Sequence, residues 1–134
     1  MEVQSPKSKV RSPKKEIVLG VTGSIASYKA ADIVSRLKKE GHDVTCIMTK
    51  EAKQFITPLT LRTLSCNEVV EDMFETSAVW EPVHTSLADK ASLIIIAPAT
   101  ANIIAKLACG IADDSLTCTA ISSYAPVLIA PAMN

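Results

Sequence analysis

Apolar residues gather into short runs separated by longer amphipathic stretches, and that rhythm repeats along the chain. Ile17–Val21, Val44–Thr49, Leu93–Ala97 and Val127–Ala130 are the short runs. Their apolar character is continuous rather than alternating, which predicts strands buried on both faces. Between the first two runs, Ala30, Ile33, Val34 and Leu37 recur at i, i+3, i+4 and i+7. That spacing predicts one helix over about Ile25–Glu40 with a single apolar stripe. Arg36, Lys38 and Lys39 fall mostly off the stripe, and Gly41 follows them as a C′ residue. The distance from Ile17 to Val44 suits a βαβ unit with a right-handed crossover.

The rest of the chain keeps the alternation. Lys50–Phe55 reads as a short helical turn. Thr57-Pro58 fits an N-cap followed by proline at N1, opening a helix to about Leu64. A short strand is expected within Glu68–Phe74 and a loop over Thr76–Val83. A helix is expected over His84–Ala91, with Leu87 and Ala88 inward. Pro98–Ala101 reads as a turn. Asn102–Ala108 and Asp113–Ser122 read as helices separated by Cys109-Gly110. Strand and helix thus alternate from end to end. That predicts an α/β fold, a doubly wound, mainly parallel Rossmann-like (flavodoxin-like) sheet with helices on both faces. Ligands in such sheets collect beyond the carboxyl ends of the strands. The loops Thr22–Ser24, Thr49–Phe55, Pro98–Asn102 and Pro131–Asn134 would share that edge.

Composition narrows the class. The 134 residues are 48% hydrophobic but only 4% aromatic, so the core must be mostly Ile, Leu, Val and Ala. Length allows one domain with a real core. Met1–Lys15 carries Lys7, Lys9, Arg11, Lys14 and Lys15 against Glu2, leaving nine basic and thirteen acidic residues beyond it. This Ser/Pro/Lys stretch has no apolar face and is expected to be a disordered basic tail, with 16–134 as the folded domain. A solubilising or expression-derived extension suits it better than a nucleic-acid arm. It has no h-region, and no long apolar run exists, so neither secretion nor a membrane span is expected. Cys46, Cys66, Cys109 and Cys118 show no CxxC and read as reduced, small buried hydrophobes of a cytoplasmic protein. No metal site is expected.

The candidate chemistry starts at Gly20–Ala30, GVTGSIASYKA. A strand runs into small residues and then a helix, an arrangement that suits an anion at free backbone amides. An ordinary strand–helix turn with glycine at positive φ is the other reading. Gly20, Gly23 and Ala26 do not make the dinucleotide fingerprint. The second strand ends in Met48-Thr49-Lys50 without a carboxylate for a ribose diol. GxxxxGK[ST] is also absent. A mononucleotide such as FMN therefore fits better than NAD or ATP. Thr49 as a strand-end hydroxyl bonded to backbone, and Phe55 as a plain core residue, remain open.

Four pieces in order carry a family resemblance: VTGSIA at Val21–Ala26, MTKEAKQFITP at Met48–Pro58, His84 with SLADKASLIIIAPATAN to Asn102 and ACGIADDSLT to Thr117, and PAMN at Pro131–Asn134. The chain from about Lys15 onward resembles the homo-oligomeric flavin-containing cysteine decarboxylases, most closely those that act on phosphopantothenoylcysteine. The resemblance implies FMN as cofactor. Gly23, Ser24, Ile25 and Thr49 would hold its phosphate and ribose region. Phe55 and the turn Pro98, Ala99, Thr100 and Ala101 would lie against the isoalloxazine. His84 would be catalytic, and Asn134 would bind the substrate carboxylate. Asp113-Asp114 and Ile103 depart from the residues usual in the family.

The same resemblance implies decarboxylation of 4′-phosphopantothenoylcysteine to 4′-phosphopantetheine in coenzyme A biosynthesis. Peptidyl-cysteine decarboxylation and a non-enzymatic flavin-binding regulatory subunit of the halotolerance-protein type are its alternatives. It implies a homotrimer, or a dodecamer of trimers, with no nucleic-acid or membrane partner. The family pattern continues past PAMN into a cysteine-bearing flap. A longer parent is therefore expected, in bacteria often fused to a synthetase domain.

Overall fold

A computed structural model describes residues 13–71 and 83–133. Four strands, β1 (Glu16–Val21), β2 (Asp43–Met48), β3 (Leu93–Ala99) and β4 (Val127–Pro131), form an all-parallel sheet in the order β2-β1-β3-β4. This is the doubly wound order in which the chain reverses its direction of travel across the sheet between β1 and β3. Helices α1 (Lys29–Lys39) and α2 (Pro58–Ser65) cover one face. Helices α3 (Val83–Lys90), α4 (Ala101–Cys109) and α5 (Ser115–Ser122) belong to the other. The central strands β1 and β3 are buried on both faces, which is why their sequences are continuous apolar runs. Leu19, Val34 and Leu61 anchor one core layer, and Ile94, Ile96 and Leu116 the other.

Several helix ends follow the sequence signals. Thr57 caps α2 by accepting from the Thr60 amide, with Pro58 at N1. Gly41 follows α1 at φ +90°, the left-handed conformation expected of a C′ residue. Gly110 ends α4 in the same region.

Other expectations are corrected. The single helix over Ile25–Glu40 is a 3₁₀ turn, Ile25–Tyr28, followed by α1. Ser24 and Ser27 form a reciprocal capping box, and the Ser27 hydroxyl also lies 2.7 Å from the Thr22 carbonyl oxygen. These local bonds tighten the first turn before the α-helical ladder starts. The turn at Pro98–Ala101 begins later, because Pro98 and Ala99 still belong to β3. A register shift between Ile96 and Ala99 lets the strand carry a proline that has no N–H to donate. The strand within Glu68–Phe74 is, among the described residues, a single parallel bridge from Val70 to Ile47. Of the four cysteines only Cys46 is buried; Cys66 and Cys109 are exposed and Cys118 is intermediate. The tail at 1–12, the loop at 76–82 and Phe74 lie outside the described residues.

Candidate functional site

Among the described residues, two cavities open side by side at the carboxyl edge of the sheet. The first, about 180 Å³, is polar. Its walls come from the β1 loop (Thr22, Gly23), the β2 loop (Thr49, Glu51), the start of α4 (Thr100, Asn102, Ile103, Lys106) and Asp114. The second, about 240 Å³, is mostly apolar. It is walled by Ala26, Lys29 and Ile33 on the α1 side and by Ala97, Pro98 and Ala130–Ala132 from β3 and β4.

Between them stands one buried hydroxyl. Thr22 Oγ1 donates to the Pro98 carbonyl at 2.5 Å and accepts from the Thr100 amide at 3.1 Å. Thr22 therefore stitches the end of β1 to the end of β3, across the point where the chain switches direction. The segment after β4 is tied to the same place, since the Ala132 amide donates to the Ala99 carbonyl at 3.0 Å. Ordinary loop ends could splay; these are cross-linked by buried and part-buried hydrogen bonds whose loss would leave unpaired polar groups.

The alternative reading of the first turn, glycine at positive φ, does not hold. Gly23 is not at positive φ. A Cβ there would instead run into the Cβ and backbone of Glu51. Gly23 thus lets the β1 loop lie against the β2 loop, closing one wall of the polar cavity. Gly20, inside β1, leaves room for the Leu116 side chain of α5.

Two hydroxyls in the polar cavity keep donor capacity. Thr49 Oγ1 accepts from the Ala52 amide at 3.4 Å, and Thr100 Oγ1 from the Ile103 amide at 3.4 Å. Each oxygen serves as an acceptor in a local turn or cap, so each hydroxyl hydrogen is left to donate to a guest. The exposed Asn102 amide adds further donors.

The charged wall is built at the α4–α5 corner. Lys106 Nζ lies 2.8 Å from Asp113 Oδ1 and 3.3 Å from Asp114 Oδ2. Asp114 uses its other oxygen, Oδ1, to accept from the Thr117 amide at 2.8 Å and cap α5. The hydrogen bond it donates to Asp113 is the main reason the Lys106 ammonium holds its proton more tightly than usual. The same contact lowers the Asp113 carboxyl below its ordinary range.

Of the residues expected to bind a cofactor, Gly23, Thr49 and Thr100 meet in the polar cavity and Pro98 lines the apolar one. Ser24 and Ile25 stand beside them in the 3₁₀ turn, Ser24 as its cap and Ile25 78% exposed. Ala99 and Ala101 flank Thr100 without lining either cavity, and Phe55, 46% exposed, lines neither. His84 is the second residue of α3. That helix ends with Lys90 beside Glu16 and Thr45 at the amino edge of the sheet, so its first turn points toward the cavity edge. The His84 side chain and Asn134 lie outside the described set. Thr22, Ser27, Lys106 and Asp114 contribute to the site without having been singled out for binding. Thr22 had a signal, a hydroxyl next to the turn glycine. Lys106 had one too, a lone cation followed by an acidic pair.

The comparisons with known proteins agree with this architecture. A family model described as Flavoprotein matches residues 5–134. The coenzyme A biosynthesis bifunctional protein CoaBC of Bacillus subtilis (strain 168) is 50% identical over 120 residues, covering 90% of this chain and 30% of that protein. The chain thus spans about a third of the length of the curated relatives it matches. Among solved structures, the FMN-dependent cysteine decarboxylase SpaF superposes with a TM-score of 0.84 at 30% identity, over 90% of this chain and 69% of that one. A PPC decarboxylase mutant complexed with pantothenoylaminoethenethiol superposes with a TM-score of 0.74 at 28% identity, over 90% and 68%.

Proposed function

This chain belongs to the flavoprotein family, and from that premise we propose that it binds FMN and carries out the decarboxylation of 4′-phosphopantothenoylcysteine on the way to 4′-phosphopantetheine. The observation that carries the reading is the pair of adjoining cavities, one lined by hydroxyls and one apolar, at the switch point of the sheet. A flavin mononucleotide has the same division, a polar phosphate and ribityl chain joined to a flat ring. The relatives named CoaBC and the PPC decarboxylase neighbour support the choice of substrate.

The residues present fit the cofactor. Hydroxyls of Thr49 and Thr100 and the Asn102 amide could donate to its phosphate and ribityl oxygens. Pro98, Ala97 and Ile33 offer the ring an apolar wall. When bound, FMN would supply a reversible two-electron oxidation at the thiol-bearing carbon, taking the electrons that make loss of CO₂ easy and then returning them, so that the overall conversion is redox-neutral. The chain supplies position. Asn134 would hold the substrate carboxylate with two N–H donors and no charge. A cation in its place would stabilise the carboxylate and oppose its loss. His84 would move a proton at the substrate, at a pH where imidazole can both take and give one.

Assembly into trimers is part of the proposal. Ile25 and Tyr28, 78% and 62% exposed, flank the apolar cavity and suit burial against another copy. Residence in a reducing compartment is supported by four cysteines that form no disulfide. The test is release of CO₂ from 4′-phosphopantothenoylcysteine by the full-length protein that contains this domain. The reading expects turnover that His84→Asn lowers by roughly 100-fold, the low end of general acid–base contributions. No CO₂ from FMN-loaded protein would overturn it.

A further inference from the structure

The polar cavity presents an electrostatic problem for the guest proposed above. Its charged lining residues, among those described, are Glu51, Asp114 and Lys106. Two are acids. A phosphate dianion entering beside two uncompensated carboxylates would be repelled. Lys106 is the cation of that lining. Its side chain is 22% exposed, and it bridges Asp113 and Asp114.

We infer that Lys106 is a positioning residue for the phosphate end of the cofactor: shared between Asp113 and Asp114, it offsets part of the negative charge of the cavity wall and so makes that wall more tolerant of a phosphate monoester. This rests on the FMN reading above. Asp114 cannot simply be dispensed with, because the same carboxylate caps α5. α5 in turn carries Leu116, which packs over Gly20 of the central strand. The fold thus requires a capping oxygen at position 114, and the ligand requires the lysine that offsets the charge Asp114 brings with it. Both needs meet at one residue pair 3.3 Å apart.

FMN and riboflavin separate this role from a merely structural one, since they share ring and ribityl chain and differ only in the phosphate. Both are titrated against wild type, Lys106→Met and Lys106→Arg by quenching of flavin fluorescence, with thermal midpoints of the apoproteins as controls. Lys106→Met should weaken FMN about tenfold, the scale of one partly screened charge interaction. It should leave riboflavin unchanged, and the FMN deficit should shrink at high salt. Lys106→Arg should keep FMN affinity near wild type. The double variant Lys106→Met, Asp114→Asn should recover FMN binding, because asparagine still caps a helix but carries no charge. Equal weakening of FMN and riboflavin by Lys106→Met, or weakening of neither, would overturn the inference while the FMN reading stands. Wild-type protein that binds neither flavin would overturn both. Should Lys106→Met not fold, Lys106→Gln carries the same expectations.

Discussion

The substitution Thr22→Val tests the stitch that holds the site together. Valine matches threonine in shape and replaces only the hydroxyl with a methyl. The hydroxyl is buried, with one bond to the Pro98 carbonyl and one from the Thr100 amide. Each bond is worth about 1 kcal/mol net, and stranding the two backbone groups adds roughly 1–2 kcal/mol more. The expected loss is therefore about 3 kcal/mol, which lowers the melting midpoint of a domain of this size by roughly 10 °C. Thr22→Ser keeps the oxygen and loses one methyl, so it should cost only about 1 kcal/mol. Thermal melts of the apoproteins followed by circular dichroism give both numbers. In the valine variant the β1 and β3 ends are no longer pinned, so FMN affinity should fall together with stability. A valine variant melting within about 2 °C of wild type, well inside the predicted shift, would show that the stitch stabilises nothing.

Three further outcomes follow from the geometry. Gly20→Ala should destabilise by about 1–3 kcal/mol through overpacking against Leu116; in a Leu116→Ala background the same change should be near neutral, and strict additivity in urea unfolding would contradict the packing argument. Asp43 accepts from Asn67 at 2.9 Å and lies 3.6 Å from Lys38, and its pKa is lowered chiefly by the Asn67 bond from the ordinary 3.8. On acidification the unfolded chain takes up this proton first, so wild type should lose stability as pH falls below about 4, and Asp43→Asn should lose less over the same range; parallel urea midpoints for the two would refute this. Burial pushes the Cys46 thiol up to about 12, whereas Cys66 and Cys109 are exposed; a thiol reagent at mildly alkaline pH should therefore label Cys66 and Cys109 quickly and Cys46 only on unfolding.

The sheet was legible because β1 and β3 are buried on both faces, and that burial writes an unbroken apolar run. The caps were legible for a related reason: Thr57-Pro58 and Gly41 satisfy local backbone needs with local residues. What pattern reading missed depends on contacts distant in sequence. Gly23 is glycine because Glu51 lies against it, and nothing near Gly23 records that. The Thr22 hydroxyl bonds residues more than seventy positions away. Pro98 reads as a turn residue, yet a register shift keeps it in β3. Exposed Cys66 illustrates the opposite case: a small apolar residue type reads as buried, yet it sits at a left-handed C-cap. The cofactor class was legible in part from Thr49 and the missing carboxylate after β2. The substrate rests on motif resemblance and on relatives rather than on any periodicity.

The central claim is that the paired cavities beyond β1 and β3 hold FMN. Titration of the purified chain with FMN, read by quenching of flavin fluorescence, tests it most directly. The account predicts saturable quenching at one flavin per chain, with affinity weakened in Thr22→Val. Fluorescence that stays that of free FMN at every protein concentration would contradict it.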